Sequence, residues 1–239
     1  MKWVFDSEEA QWLTTGLRDF WDRRLVSVAP RGFAAYGRLF HPAYDQEGHP
    51  LKWADVARIH GTVFTSRSDF VHVTSVNGAG RWVGEAPMPG SMDESTIRPL
   101  IRILRYFSET PDQIYYALWD GLGWDNARIL SMAQSGARAT DPIPKSVREG
   151  PRISIPGRSY LMYAGTLDDA MFWMPHYRQT PHYWWPQDHA WCVAGDVDLS
   201  WTIIGGSRDL IEHLINAEDL EVLLISQDDV LESDPPGVK

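Results

Sequence analysis

Asp196-Val197-Asp198 is the arrangement in this sequence best suited to chemistry. On a strand, side chains at i and i+2 share a face, and two carboxylates so placed can hold a divalent cation through hard oxygen ligands. His182, Asp188 and His189 lie near enough in sequence to complete a coordination shell. These five residues define one expectation, a metal-dependent hydrolase. The spacing argues the other way: no His-x-x-x-His or Cys-x-x-Cys pair is present, and an aspartate beside a turn more often bonds its own backbone.

Other reactive groups have structural readings. His41-Pro42 with Glu47 and His49 offers an acid and a base, but 8 histidines scattered over the chain produce such neighbours by chance. Ser207 follows Gly205-Gly206, yet Asp209 stands where a Gly-x-Ser-x-Gly elbow needs its second glycine, so Ser207 is expected to cap a helix. No Lys-Ser/Thr follows those glycines to hold a phosphate. Cys192, the single cysteine, sits between Trp191 and Val193 and is expected to pack as a small hydrophobe.

The aromatic residues point elsewhere. Of the 12 tryptophans, four fall within residues 183–207. Trp82 lies in a Gly/Pro-rich stretch, Trp119-Asp120-Gly121-Leu122-Gly123-Trp124 reads as a turn with a tryptophan on either side, and Trp184-Trp185 precedes Pro186. Exposed together, Trp82, Trp119, Asp120, Trp124, Trp184 and Trp185 would form a platform for a protein partner, whose contact surfaces favour aromatic anchors. Stacking on sugars is the competing use.

The elements that must carry these groups follow from apolar spacing. Trp12, Leu13, Leu17, Phe20, Trp21 and Leu25 predict an amphipathic helix over residues 7–25. FAAYGRLF predicts a strand and LKWADVARIHG a short helix ended by Gly61. Asp93 or Ser95 caps a helix running to Ser108, and QIYYALWDG is a strand. Residues 131–151 carry three prolines and few large apolar groups, which predicts a flexible insertion between halves 1–130 and 152–239. After it come two strands around Pro156-Gly157, a short LDDAMFW helix, an irregular aromatic segment through Trp184-Trp185, strands at 191–197 and 200–204, a helix from Ser207 to Asn216, and a last strand in LEVLLIS. The pattern predicts an α+β fold, a mainly antiparallel sheet flanked by helices on one side and built from two intimately packed halves.

Composition bounds the partners. With 239 residues, 44% of them hydrophobic, the chain can bury a large core, and its acidic, polar N-terminus predicts no secretory signal. No stretch approaches the roughly 20 apolar residues of a membrane span. The expected location is therefore the cytoplasm. The formal charge is -10, and from Asp209 onward nine acids face Lys239 alone. Such an end repels nucleic acid and anionic lipid and attracts a basic protein.

RGFAAYGRLFHPA, LKWADVA, YYALWDGLGW, GRSYLMYAG and WWPQDHAWCVAGDVDLSWTIIGGS together resemble a family of uncharacterised proteins common in actinomycete genomes. The resemblance covers most of the chain and implies no activity. Members carry Glu-Ile-Asp where this chain has Asp196-Val197-Asp198, which implies that the two acids matter. A looser likeness, in layout and tryptophan content only, is to bacterial SUKH-type immunity proteins. The expectation drawn from all of this is a non-enzymatic protein-binding protein that needs no cofactor and uses aromatic loops and an acidic end. The metal-dependent hydrolase and a small-ligand or carbohydrate module are the alternatives.

Overall fold

A computed structural model describes residues 1–6, 8–17, 24–75, 82–122, 143–155, 157–172 and 179–230. Its strands are β1 (Lys2–Trp3), β2 (Ala35–Phe40), β3 (Ala43–Tyr44), β4 (Pro50–Leu51), β5 (Ile114–Trp119), β6 (Ile153–Ile155), β7 (Arg158–Gly165), β8 (Tyr183–Pro186), β9 (Cys192–Ala194), β10 (Trp201–Gly206) and β11 (Val222–Ile225). The α-helices are α1 (Gln11–Gly16), α2 (Trp53–His60), α3 (Phe70–Val73), α4 (Glu94–Leu104), α5 (Lys145–Arg148) and α6 (Arg208–Ile215).

Nine strands form one sheet in the order β1-β7-β5-β8-β9-β10-β2-β11, with β6 pairing on β7. Every pairing in it is antiparallel. The α+β expectation is met, with one correction: helices cover both faces. Along β8, Trp184 packs into the cluster that holds Ile97, Leu100 and Leu104 of α4 and Leu210, Ile211 and Leu214 of α6. Its neighbours Tyr183 and Trp185 face the opposite cluster, with Leu13 of α1 and Trp53, Val56 and Ala57 of α2. The central strands are apolar at consecutive positions, not at alternate ones, so each side of the pleat presents surface that must leave water.

Local chemistry fixes the helix ends. Gly61 closes α2 with φ 68°, a left-handed conformation that glycine adopts without strain. The Asp93 side chain accepts from Thr96 N–H to cap α4, and Ser207 accepts from Leu210 N–H to cap α6, as expected of both. The start of α2 is capped from far away: the Glu221 carboxylate accepts from Trp53 N–H at 2.6 Å and Ala54 N–H at 2.9 Å. Burial raises the pKa of that carboxyl.

Two sequence expectations change. The helix of residues 7–25 is a 3-10 turn (Glu8–Ala10) running into α1, whose last residue is Gly16, with a separate 3-10 turn at Leu25–Ser27. Residues 18–23 lie outside the described residues, as does 131–142 of the predicted insertion. Trp184-Trp185, expected in an irregular segment, belongs to β8, where Tyr115 lies opposite Trp185 and Tyr116 opposite Trp184.

Candidate functional site

The metal candidates separate. His182 precedes β8 and Asp196 follows β9, while Asp188 and His189 form the turn that joins these strands at their other end. Asp188 builds that turn's neighbourhood, accepting from Ser108 Oγ, from Glu109 N–H at 2.6 Å and from Ala190 N–H. His189 has φ 54° and lies against Trp12, ring centroids 4.7 Å apart. The five residues make two groups, and neither is a metal cage.

The group containing Asp196 already holds a cation. Arg158, at the start of β7, donates from Nε to Asp196 Oδ2 at 3.2 Å and from Nη2 to Asp196 Oδ1 at 3.2 Å and Asp198 Oδ2 at 2.9 Å. The side chain of Asp196 is 5% exposed, that of Arg158 19% and that of Asp198 72%, so the first pair is half-buried and the second is a rim contact. The guanidinium satisfies the carboxylates that a divalent ion would need. It also stands 5.3 Å from the Trp119 ring centroid. Asp196→Ala removes two charge-assisted hydrogen bonds from a half-buried guanidinium that Asp198 still holds, so it should cost about 2 kcal/mol. Denaturant unfolding measures this cost. Zinc or magnesium titration should give native protein and Asp196→Asn/Asp198→Asn equal heats, and a larger native heat would restore the metal reading.

His182 sits beneath this pair. Its Nδ1 accepts from Trp119 N–H at 3.1 Å, and the side-chain amide of Gln179 lies 3.3 Å from its Nε2. Burial lowers its pKa to about 4 against a raising influence of Asp196. Asp120 accepts from Arg152 Nε at 2.6 Å, and Arg152 Nη1 donates to Val147 O and Gly150 O just beyond α5. At Gly121 a Cβ would fall 2.1 Å from Trp119 Cζ2, so the tryptophan ring can lie over this turn only because the residue is glycine.

The tryptophan platform is not assembled. Trp184 and Trp185 are each 0% exposed, because the two faces of β8 bury both, and neither can touch a partner. Trp82 is partly exposed and packs on His60 and Phe70 beside α2 and α3. Trp119 is partly exposed at the Arg158 hairpin, and Trp124 lies outside the described residues.

His41, grouped in the sequence with Glu47 and His49, is held instead by Met88 and Thr202. Burial also lowers the pKa of His41 to about 4. Its Nδ1 donates to Met88 O at 2.8 Å, so its Nε2 accepts from Thr202 Oγ1 at 2.9 Å. Arg38 on β2 is 0% exposed and donates from Nη1 to Ser66 O at 2.6 Å, with its guanidinium carbon 4.3 Å from the Trp201 ring centroid. Among the described residues its Nε and Nη2 have no hydrogen-bond partner. Asp45, Glu47 and His49 come together at the β3–β4 turn with ligand atoms within 4.8 Å. There Asp45 Oδ1 accepts from the N–H groups of Glu47 and His49, bonds that build the turn.

The concave surface lies elsewhere. A groove of about 530 Å³ runs between α4, the end of β2, β4 and the segment leading into β11. Leu39, Phe40, Pro42, Leu51, Pro99 and Leu220 give it apolar walls. The rim carries both charges: Arg102 pairs with Asp219 at 3.1 Å, Arg98 Nε donates to Glu94 at 2.6 Å, and Lys52 Nζ donates to the Glu218 carbonyl at 2.7 Å. The Glu218 and Asp219 side chains are exposed. Among the described residues, no helix is long and apolar enough to cross a membrane. No protein-family model, curated protein or solved structure matches the chain.

Proposed function

We propose that this is a protein-binding protein that takes a segment of a basic protein partner into the groove between α4 and the acidic stretch before β11. The groove carries the reading: it has an apolar interior, a rim of both charges, and a volume of about 530 Å³ within the range of binding clefts. Its wall includes Glu218, Asp219 and Glu221, part of the acidic excess that marks the C-terminal region. A formal charge of -10 favours a basic protein over nucleic acid, and the proposed setting is the cytoplasm. Binding is preferred to catalysis because His41, His182, Asp188 and Asp196 are each engaged in hydrogen bonds that hold the fold.

The test is a pair of groove variants. Leu51→Asp places a charge in the apolar interior, and Glu218→Lys reverses an exposed rim charge. A partner captured from native lysate and then purified should bind each variant at least tenfold more weakly, by calorimetry, than native protein, while thermal melts show that both variants fold. Unchanged affinity in both would reject the groove.

A further inference from the structure

β11 follows the segment that lines the groove, and its outer edge is unpaired among the described residues. β11 pairs only with β2, in the register Val222↔Leu39 to Ile225↔Tyr36, and ends the sheet among the described residues. Phe40 N–H donates to Glu221 O, which makes Glu221 and Phe40 a hydrogen-bonded pair. In an antiparallel ladder such pairs alternate with pairs whose polar groups point away from each other. Val222 and Leu224 therefore turn N–H and C=O outward, toward the unpaired edge. The Leu224 side chain is 62% exposed.

We propose that β11 accepts an added strand from a basic protein: an extended segment with apolar residues at its middle and Lys or Arg at both ends. Main-chain hydrogen bonds to an open edge supply affinity in this mode, and side chains supply specificity. Charge decides the occupant. The apolar run Val222–Ile225 is bracketed by Glu218, Asp219 and Glu221 on one side and by Asp228 and Asp229 on the other. Asp219, Glu221 and Asp229 are engaged by Arg102, by the α2 N–H groups and by Arg67. Glu218 and Asp228 are exposed at opposite ends, and among the described residues neither carboxylate has a side-chain partner. A second copy pairing antiparallel through β11 would set Glu218 and Asp219 against the other copy's Asp228 and Asp229. Like charges opposed across strands destabilise the pairing. A strand with basic ends meets complementary charge at both.

This inference rests on the protein-binding reading and adds to it the mode of engagement. Random peptides displayed on phage are selected on the full-length chain, and the enriched peptides are measured by fluorescence anisotropy against three variants. Leu224→Pro removes an outward N–H and leaves the β2 ladder intact, so it should fold and bind at least tenfold more weakly. Glu218→Lys/Asp228→Lys should lose peptides with basic ends and select peptides with acidic ends. Leu51→Asp reports on the groove separately. Peptides that bind Leu224→Pro as well as native protein overturn the strand addition. If the same peptides fail on Leu51→Asp, the groove reading survives that outcome. Absence of any enrichment, or a native dimer at micromolar concentration that Leu224→Pro dissociates, overturns it too.

Discussion

Acidification from pH 6.5 to pH 4 should remove a large part of the stability of this fold. His41 and His182 both have their pKa lowered to about 4 by burial. In the unfolded chain each titrates near 6.5. The unfolded state therefore binds more protons throughout this window, and stability falls as pH falls through it. Each ring contributes on the order of 3 kcal/mol to that loss, set against roughly 5–15 kcal/mol for a whole domain. The geometry at His182 agrees with a neutral ring: Nδ1 accepts from Trp119 N–H, and a proton placed there would face another donor. The pKa of Asp229 is lowered by the Ser226 N–H and by Arg67, a contribution lost only as pH falls below this window, whereas the raised Glu221 opposes the loss. Urea unfolding at intervals between pH 7 and pH 4 measures the slope. His41→Gln should remove about half of it, and a native protein whose stability is flat across the window would refute the assignment of both buried neutral rings.

Trp184→Ala should cost about 3–5 kcal/mol, the range for deleting a large buried aromatic side chain. Trp184 stacks on Tyr116 at a centroid distance of 6.1 Å and meets Trp191 edge-on at 5.7 Å. Trp185→Ala should cost as much, since that ring stacks on Tyr115 at 5.9 Å and meets Trp12 edge-on at 5.7 Å. The losses are separate, because the two rings lie on opposite faces of the sheet. Any partner binding lost by these variants should disappear together with the cooperative unfolding transition. A loss below about 1 kcal/mol in either variant would contradict the packing.

The sequence made most elements legible because their signals are local. Ser207 capped α6, Gly61 closed α2, and Gly157, with φ 79°, turned the chain between β6 and β7, each through conformational preferences confined to a few residues. Trp184-Trp185 was misplaced because Pro186 reads as the start of a loop, whereas it is the last residue of β8. The candidate site was harder to read for a different reason. Arg158 meets Asp196 across 38 residues, and Lys52 meets the Glu218 carbonyl across 166. No spacing rule connects such residues; the sheet order does. The acidic excess after Asp209 was visible in the sequence, but its division among a helix cap, ion pairs and free carboxylates was not.

The position of β2 governs how the protein can fold. Its two neighbours in the sheet are β10 and β11, both made near the end of the chain. The apolar residues of β2 therefore pair with segments about 160 residues or more later in the sequence, while β6 and β7 pair with each other across a short turn. Contacts this distant in sequence are slow to form and leave apolar strand surface open to misassociation.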